Sequence, residues 1–546
     1  MRLAGSFLAA LLAVFGLAAT ANAQSAPENA SGKRGPGVSI VPYIEASQVL
    51  TAELEPGSDV LTYSTVAAGV DAGFTGRNSA GTVSLRYERR IGWGDDALDG
   101  DTLSGIARTS IAVIPRALTF EAGGLAARTR VEGNGSSSLG GFGGNDDSTS
   151  QIYSIYAGPS IKTREGYLDV SAHYRFGYTR VEEPNRLVLA DNAQAPDIFD
   201  ESTVHMAQAR MGFSPNTVLP VGLGVGGSWN EQNISNLDQR IRDRNIRADV
   251  TVPVTLSLAL VGGVGYEDVQ ISSRDALRDG NGVPVIGNDG RYVTDKSGPR
   301  RIAYETDGLI WDVGVMWRPS RRTSLEAHVG RRYGSTSYYG TLSYTPNSRS
   351  SLNVSVYDNM TGFGGAVVDR LAGLPTDFET FRNPISGDIG GCVASLEGDG
   401  CIGGVLGSLR SAAFRSRGIA ISYAYNLGRT QLGIGGGYDR RKFIAAAGTV
   451  LASADGVVDD NIWLSAYSST RLDAVSSINA NLYASLYDSG FDSGGEAIGY
   501  SATLAYNRTF LRNLTGTAAL GLDGITREDL EDFMSASALL GLRYSF

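Results

Sequence analysis

The sequence is poor in cysteine, histidine and tryptophan, of which its 546 residues contain two, three and five. It is also poor in charge, because Asp, Glu, Lys and Arg together make up only 19% of the residues. A disordered chain would carry more charge and fewer apolar residues than the 42% present here. Acidic residues outnumber basic ones by 57 to 47, and this balance disfavours a nucleic-acid partner.

Beyond its first twenty-odd residues, the sequence has no run of about 18 apolar residues, which excludes a transmembrane helix there. What it has in quantity is glycine, with 71 residues, and tyrosine, with 25. Glycine therefore makes up about 13% of the chain, roughly twice its average share. Many glycines and tyrosines together with few charges favour a chain of many strands that have one apolar and one polar face.

The N-terminus has the three parts of an export signal. Arg2 provides a positive charge, residues 8–19 are apolar, and Ala21-Asn22-Ala23 forms a small-x-small cleavage site. An uncleaved membrane anchor is the alternative, but the apolar stretch is too short for one. We therefore predict a signal peptide at 1–23, followed by a periplasmic linker at 24–37 that is rich in Pro, Gly and Ser.

From residue 38 onward, side chains alternate between two environments along segments of about 10 residues. In the last segment, the apolar face consists of Met534, Ala536, Ala538, Leu540, Leu542, Tyr544 and Phe546. The opposite face is small or polar apart from one leucine and consists of Ser535, Ser537, Leu539, Gly541, Arg543 and Ser545. The same division recurs along 83–88, 168–178, 309–317 and 478–487, so these segments are predicted to be strands.

A water-soluble β-sandwich also alternates, so alternation alone leaves two architectures open. Three features favour a membrane barrel: apolar faces that end in Tyr or Trp, charged residues on the opposite faces, and tight turns that alternate with long loops. We therefore predict an all-β chain in which residues 38–546 form a transmembrane antiparallel β-barrel of about 22 strands. An even number of strands places both chain ends on the same, periplasmic side.

The last strand resembles the signal that the outer-membrane barrel-assembly machinery reads, because aromatic and apolar residues alternate up to a terminal Phe. Leu542, Tyr544 and Phe546 carry this pattern. Together with the export signal, it predicts that the protein lies in the outer membrane of a Gram-negative bacterium.

Three N-terminal segments, 41–50, 62–71 and 86–96, carry a resemblance to a known family. They resemble an alphaproteobacterial, mainly sphingomonad, family of large outer-membrane barrels whose members are often labelled preprotein translocase subunit YajC. That label fits poorly, because the true YajC is a short inner-membrane protein with one transmembrane helix. The family also resembles, more distantly, barrels associated with exosortase and exopolysaccharide loci. The resemblance implies location and fold, and it supplies no catalytic residues.

Alternation predicts which charged side chains point into the lumen. These candidate lumen residues are Arg86, Glu88, Arg90, Asp169, His173, Arg175, Glu326, His328 and Arg332. The first three lie at i, i+2 and i+4 on one strand face. They form either a cross-strand salt-bridge ladder that stiffens the wall or a charged constriction that selects solutes by sign.

No catalytic, cofactor or metal site can be assigned from the sequence. His173 and His328 face the lumen, but no Ser or Asp is placed by the sequence to activate either of them. We expect the protein not to be an enzyme and to need no cofactor.

Cys392 and Cys401 are the only cysteines, and both lie in the longest predicted loop, 359–413. In an exported protein, such a pair predicts a disulfide that closes a small surface loop. The loop mixes many glycines with apolar residues, which disfavours disorder. An empty barrel of about 22 strands would admit large solutes, so we predict that 359–413 folds inward and narrows the lumen.

Three functions are compatible with such a barrel. A TonB-dependent transporter would need a plug domain of roughly 150 residues before its first strand, and only the linker is found there. A passive or gated pore, for solutes or an exported polysaccharide, is the leading interpretation. A structural or assembly barrel without a transport role is the alternative. The expected partners are outer-membrane lipids and, during biogenesis, the barrel-assembly machinery.

Overall fold

A computed structural model describes most of the chain after residue 36. The described residues are 37–57, 59–94, 99–131, 135, 137–138, 149–182, 197–287, 289–398, 400–491, 495–528 and 531–546. The predicted signal peptide and all but the last residue of the predicted linker lie outside them. The expectation that no plug domain precedes the first strand therefore stays a prediction.

Twenty-two antiparallel strands form one closed ring, which confirms the predicted fold class. In chain order they are β1 Gly37–Glu55, β2 Val60–Thr75, β3 Ser79–Trp93, β4 Gly100–Ile114, β5 Leu118–Val131, β6 Thr149–Glu165, β7 Leu168–Glu182, β8 Glu201–Phe213, β9 Gly222–Ile234, β10 Gln239–Pro253, β11 Leu258–Ser273, β12 Arg301–Ser320, β13 Thr323–Arg332, β14 Ser335–Asn347, β15 Ser350–Thr361, β16 Phe414–Asn426, β17 Thr430–Phe443, β18 Val458–Arg471, β19 Ser476–Ser489, β20 Gly495–Leu511, β21 Leu514–Arg527 and β22 Phe533–Ser545.

Each strand pairs with the next, and β22 pairs with β1 to close the ring, from Tyr43 opposite Ser545 to Glu55 opposite Met534. The amide of Phe546 also donates to the carbonyl of Pro42 at 3.0 Å. The start of β1 and the end of β22 therefore lie at the same end of the ring, which also carries the short turns, such as 76–78 and 512–513. We call this end of the ring the short-turn end and the opposite end the long-loop end.

The outer face of the ring is apolar and exposed, as the alternation predicts. On β22, the side of Leu540 and Leu542 is exposed, with 71% of Leu540 accessible, whereas Ser535 and Ser537 on the other side are buried. Isoleucine, leucine and valine side chains are exposed in the same way along most other wall strands. Aromatic rings border this apolar surface; examples are Trp93, Trp317, Tyr344, Tyr423, Tyr544 and Phe546.

The inner face is less polar than the sequence led us to expect. Near the long-loop end, β4 to β11 place fully buried apolar side chains on the lumen face, among them Ile106, Ile152, Ile234 and Ile271, next to buried polar ones such as Thr179 and Gln232. They pack against apolar residues that come from the chain between β15 and β16. The lumen therefore contains a hydrophobic core, which a water-filled channel would not have.

Residues 362–413, which we call the inner segment, connect β15 to β16, and those that the structure describes, 362–398 and 400–413, lie inside the ring. They contain helix α1 (Phe363–Gly373) and a small hairpin of two strands, Glu379–Arg382 and Ile389–Ala394, which we call the inner hairpin. The expected inward fold is present, although β15 takes the first residues of the predicted loop, up to Thr361. Among the described residues, no helix is both long and apolar enough to cross a membrane.

A charge placed on the outer apolar face should destabilise the barrel in a lipid bilayer. Leu520 on β21 is 62% exposed on that face, whereas Thr517 faces the lumen and bonds to Asn507. We expect Leu520→Arg to lower the free energy of unfolding by about 2–4 kcal/mol if it lies near the bilayer centre. Urea titration in phospholipid vesicles, followed by tryptophan fluorescence, measures it. Thr517→Arg is the control, and an equal loss there would contradict the assignment of faces.

Candidate functional site

The candidate site is the lumen, where the inner segment contacts wall strands on several sides. Thr361 at the end of β15 pairs directly with Phe414 at the start of β16. The two strands thus form an ordinary hairpin whose connection is the whole inner segment. The wall therefore does not depend on the segment for its own pairing, although the segment depends on the wall for its position.

Helix α1 packs its apolar side against β5 to β8. Phe363 meets Phe199 edge to face with ring centroids 5.1 Å apart. Val368 lies against Gly177, where a larger residue would collide with it. Glycine on that lumen face is thus what allows the helix to approach the wall.

An ion pair also holds the helix to the wall: Arg175 on β7 lies 3.2 Å from Asp369 on α1. Desolvation inside the barrel raises the pKa of the Asp369 carboxyl group, and the guanidinium groups of Arg175 and Arg370 oppose this shift. Because the Asp369 side chain is still 41% exposed, the ion pair contributes to the position of the helix more than to its stability.

The inner hairpin is anchored to β3, β4 and β5 by charged groups. Asp388 and Arg128 form an ion pair at 3.0 Å, and each side chain is only 5% exposed. Arg382 donates to the hydroxyl groups of Ser104 at 2.6 Å and Ser84 at 3.0 Å. Burial lowers the pKa of the Arg382 guanidinium group. A buried charge is strongly destabilising when its partner moves away. The ion pair between Asp388 and Arg128 therefore holds the inner hairpin in one position.

Arg86, Glu88 and Arg90 lie beneath this anchor. Arg86 forms ion pairs with Glu45 at 2.7 Å and Glu88 at 2.6 Å, and all three side chains are largely buried. The guanidinium group of Arg90 lies 4.9 Å from the centre of the Tyr63 ring. These contacts favour the salt-bridge interpretation of this group, because its charges are matched and covered by the inner segment.

The predicted disulfide between Cys392 and Cys401 is present, but it lies inside the barrel instead of on the surface. It rests on Gly435 of β17, where any Cβ atom would collide with Cys401 Sγ. Beside it, Phe381 stacks on Tyr467 of β18 with ring centroids 4.4 Å apart. The missing side chain of Gly435 therefore leaves the space that the disulfide occupies.

The last part of the inner segment is bound through its backbone. Arg441 on β17 donates to the carbonyl oxygens of Val405 and Ser408, both at 3.1 Å. Asp439 holds this guanidinium group at 2.7 Å. Ser137 near β5 donates to the carbonyl of Leu406 from the other side of the lumen. The segment is therefore bound on opposite walls and spans the lumen between them.

A second part of the lumen, on β8 to β13, is more accessible. There, six charged or ionisable side chains of alternating sign form a continuous chain of contacts. In order of contact they are Arg210, Asp249, Arg247, Asp312, His328 and Glu326, with N–O distances from 2.6 to 3.3 Å. The side chains at its two ends, Arg210 and Glu326, are 47% and 42% exposed, compared with 7% for Arg86. We call this chain the polar ladder.

Arg332 lies above the polar ladder in a buried cluster. It contacts Asp243 at 2.8 Å and Glu267 at 3.6 Å. The amide of Tyr333 donates to Glu267 at 2.6 Å, and its hydroxyl group donates to Asp243 at 2.9 Å. The cluster fixes the tip of the β13–β14 hairpin.

The remaining predicted lumen residues lie apart from these groups. Asp169 pairs with Arg164 at 2.6 Å at the short-turn end. His173 is half-buried on the same face of β7 as Arg175. The third histidine, His205, packs among Tyr174, Phe176 and Trp229 on the outer face. The three histidines are therefore not brought together, and the described residues contain no group of three or more His, Cys, Asp or Glu side chains that could hold a metal ion.

No protein-family model matches the chain, and no curated protein matches it. Several solved structures do. The ferric-catecholate import receptor Fiu of E. coli K12, in its closed form, is 11% identical with a TM-score of 0.44, over 92% of this chain and 81% of that one. The siderophore receptor PiuA of Acinetobacter baumannii is 7% identical with a TM-score of 0.41, over 92% and 82%. Likenesses this distant do not bear on what this chain binds.

Removing the charge of Asp388 should loosen the inner hairpin. Asp388→Asn removes the carboxylate that pairs with Arg128 at 3.0 Å, and breaking a buried pair in this way costs about 3–5 kcal/mol. We expect faster amide hydrogen exchange over 379–394 than in the unmodified protein, measured by mass spectrometry. Asp169→Asn, which removes an exposed ion pair at the short-turn end, should leave that exchange unchanged. Equal exchange in all three proteins would show that this pair is not the anchor.

A side chain at position 435 should displace the disulfide. We expect Gly435→Ala to expose the bond between Cys392 and Cys401, because the new methyl group collides with sulfur, whereas Gly436→Ala adds the same group on the opposite face of β17. The rate at which a water-soluble phosphine reduces the bond in the folded barrel measures this exposure. The first variant should be reduced faster than both the second variant and the unmodified protein. Identical rates would argue against the close contact.

Proposed function

We propose that this protein is an outer-membrane pore whose lumen is gated by its own inner segment. The main observation behind this proposal is that the inner segment is inserted between two strands that already pair with each other. It can therefore leave its position without opening the wall. Its contacts include several polar ones, and these can be exchanged for water at a modest net cost.

The polar ladder offers the accessible surface along which a hydrophilic solute would pass. Charges of both signs alternate along it, so it presents sites for polar solutes and does not favour one sign of charge. This supports passage of solutes, or of an exported polysaccharide, over a role in the selection of ions. We assign no catalytic step to any residue of the lumen.

The outer-membrane location is part of the proposal. It is supported by the exposed apolar outer face with its aromatic borders, since such a surface is stable only in contact with lipid. The export signal and the C-terminal residues Leu542, Tyr544 and Phe546 support the same location. The resemblance of the first three strands to the sphingomonad barrel family agrees with it.

A structural or assembly barrel remains the second candidate, and one observation favours it. The hydrophobic core near the long-loop end is buried from both sides, and opening it would expose that apolar surface to water. If the core never opens, the barrel has no transport role. The two candidates therefore differ in whether the intact protein conducts.

We expect a variant without the inner segment to conduct strongly. Residues 364–411 are replaced by Asn-Gly, which leaves Thr361 paired with Phe414. Single-channel conductance in planar bilayers should rise well above that of the intact protein, and host cells should become sensitive to large antibiotics. The intact protein should show brief openings, and their complete absence would favour the structural barrel. If the deletion variant folds but its conductance does not rise, the segment is not the gate.

A further inference from the structure

Four basic side chains meet on the outer face of β16 and β17, close to the long-loop end. Arg415 and Arg417 lie on β16, and Arg440 and Lys442 lie on β17. The register places Arg417 directly opposite Arg440 and Arg415 directly opposite Lys442. We call these four residues the basic patch.

Like charges directly opposite each other across two strands destabilise a sheet. The wall has two such pairs in succession, so an external anion is the simplest compensation. Within the chain, the β16 half of the patch is compensated, because Arg415 and Arg417 both donate to the hydroxyl group of Ser335 and the carbonyl group of Thr336. Asp358 on β15 contacts Arg415 at 2.7 Å and Arg417 at 3.3 Å, and it is fully buried.

The β17 half of the patch is less well compensated. Asp460 on β18 lies opposite Arg440, and it accepts a hydrogen bond from the Tyr438 hydroxyl group at 2.5 Å. Arg440 and Lys442 are exposed, and neither forms an ion pair with a residue in the described part of the chain. Asp358 thus pairs with the two arginines of β16, whereas the two cations of β17 are exposed without an ion pair among the described residues and are the ones that can bind an external anion.

The position of the patch indicates what the ligand is. Directly below it, toward the short-turn end, the same outer face carries Ile419, Ile421 and Ile434, which are 36%, 43% and 49% exposed. Tyr338 lies beside Arg417, whose guanidinium carbon is 5.8 Å from the ring centre. A molecule that binds the cations can thus extend its apolar part along the wall immediately below.

We propose that the basic patch binds the phosphate groups of a membrane lipid in the leaflet at the long-loop end, with its acyl chains along the isoleucines below. This inference rests on the membrane location in the proposed function and is independent of whether the lumen opens. Arginine and lysine both bind phosphate well, arginine with two parallel hydrogen bonds. A free phosphate ion would use the cations alone, whereas a lipid would use both surfaces.

The test measures binding of a bisphosphorylated lipid A to the purified full-length barrel in a non-ionic detergent, by native mass spectrometry. The comparison probes are the same lipid without its phosphates and inorganic phosphate alone. We expect tight binding of the phosphorylated lipid only. Arg440→Gln/Lys442→Gln should weaken it about 30-fold, since each basic residue near a lipid surface contributes about 1 kcal/mol.

The matched control is Arg242→Gln/Arg244→Gln, which removes two outer-face cations from β10. Glu231 lies opposite Arg242 and Asp268 lies opposite Arg244. Because these two cations already face carboxylates, binding of the phosphorylated lipid should be unchanged. Resistance of each variant to unfolding by sodium dodecyl sulfate without heating shows that the barrel is intact.

Three results would overturn the proposal. They are equal binding of both lipids, equal affinity for inorganic phosphate, and no loss of binding in the β17 variant. Conductance of the same preparations separates this proposal from the pore. A barrel that binds the lipid but never conducts contradicts only the pore, and a barrel that conducts without binding the lipid contradicts only the patch.

Discussion

The structure depends on closure of the hydrogen-bonded ring between β22 and β1. Inside a membrane, no water is present to bind an unpaired strand edge, so a sheet can cross it only when its first and last strands pair. Closure requires every strand to keep its register, because a shift by one residue would turn apolar side chains inward and charged ones outward. The unbroken register from Tyr43 to Glu53 against β22 meets this requirement, and the one shift, between Glu53 and Glu55, lies at the end of the pairing. The outer apolar surface and the enclosed lumen both follow from it.

Closure also creates a space that the wall strands alone do not fill. The inner segment fills this space with two kinds of contact, apolar and polar. Near the long-loop end, α1 and the wall form a hydrophobic core of the kind found in soluble domains. Charged and backbone groups also connect the segment to the wall, as in the pairs of Arg128 with Asp388 and Arg175 with Asp369. The apolar part makes the closed form stable, and the polar part defines where the segment sits.

The wall could be predicted from the sequence, because each strand face is a local pattern of period two and Leu540 and Ser537 need no distant partner to be assigned. The contents of the lumen could not be predicted from the sequence in this way. Asp388 and Arg128 are 260 residues apart, and no local signal connects them. The apolar inner residues of β4 to β11 were missed because their partners lie in the inner segment. The basic patch was missed because it depends on the register of β16 against β17, which shows only once the strands are paired.

The inner segment is a very long connection in an otherwise ordinary β-hairpin, and this has an evolutionary consequence. The entropic cost of closing a connection grows only slowly with its length, and Thr361 faces Phe414 whatever lies between them. Insertions, deletions and exchanges in this one stretch of sequence can therefore accumulate while the wall strands keep their register. Related barrels with nearly identical walls could then differ completely in what occupies their interior. A comparison of such sequences should show conserved strand patterns that flank a region of variable length at this single hairpin.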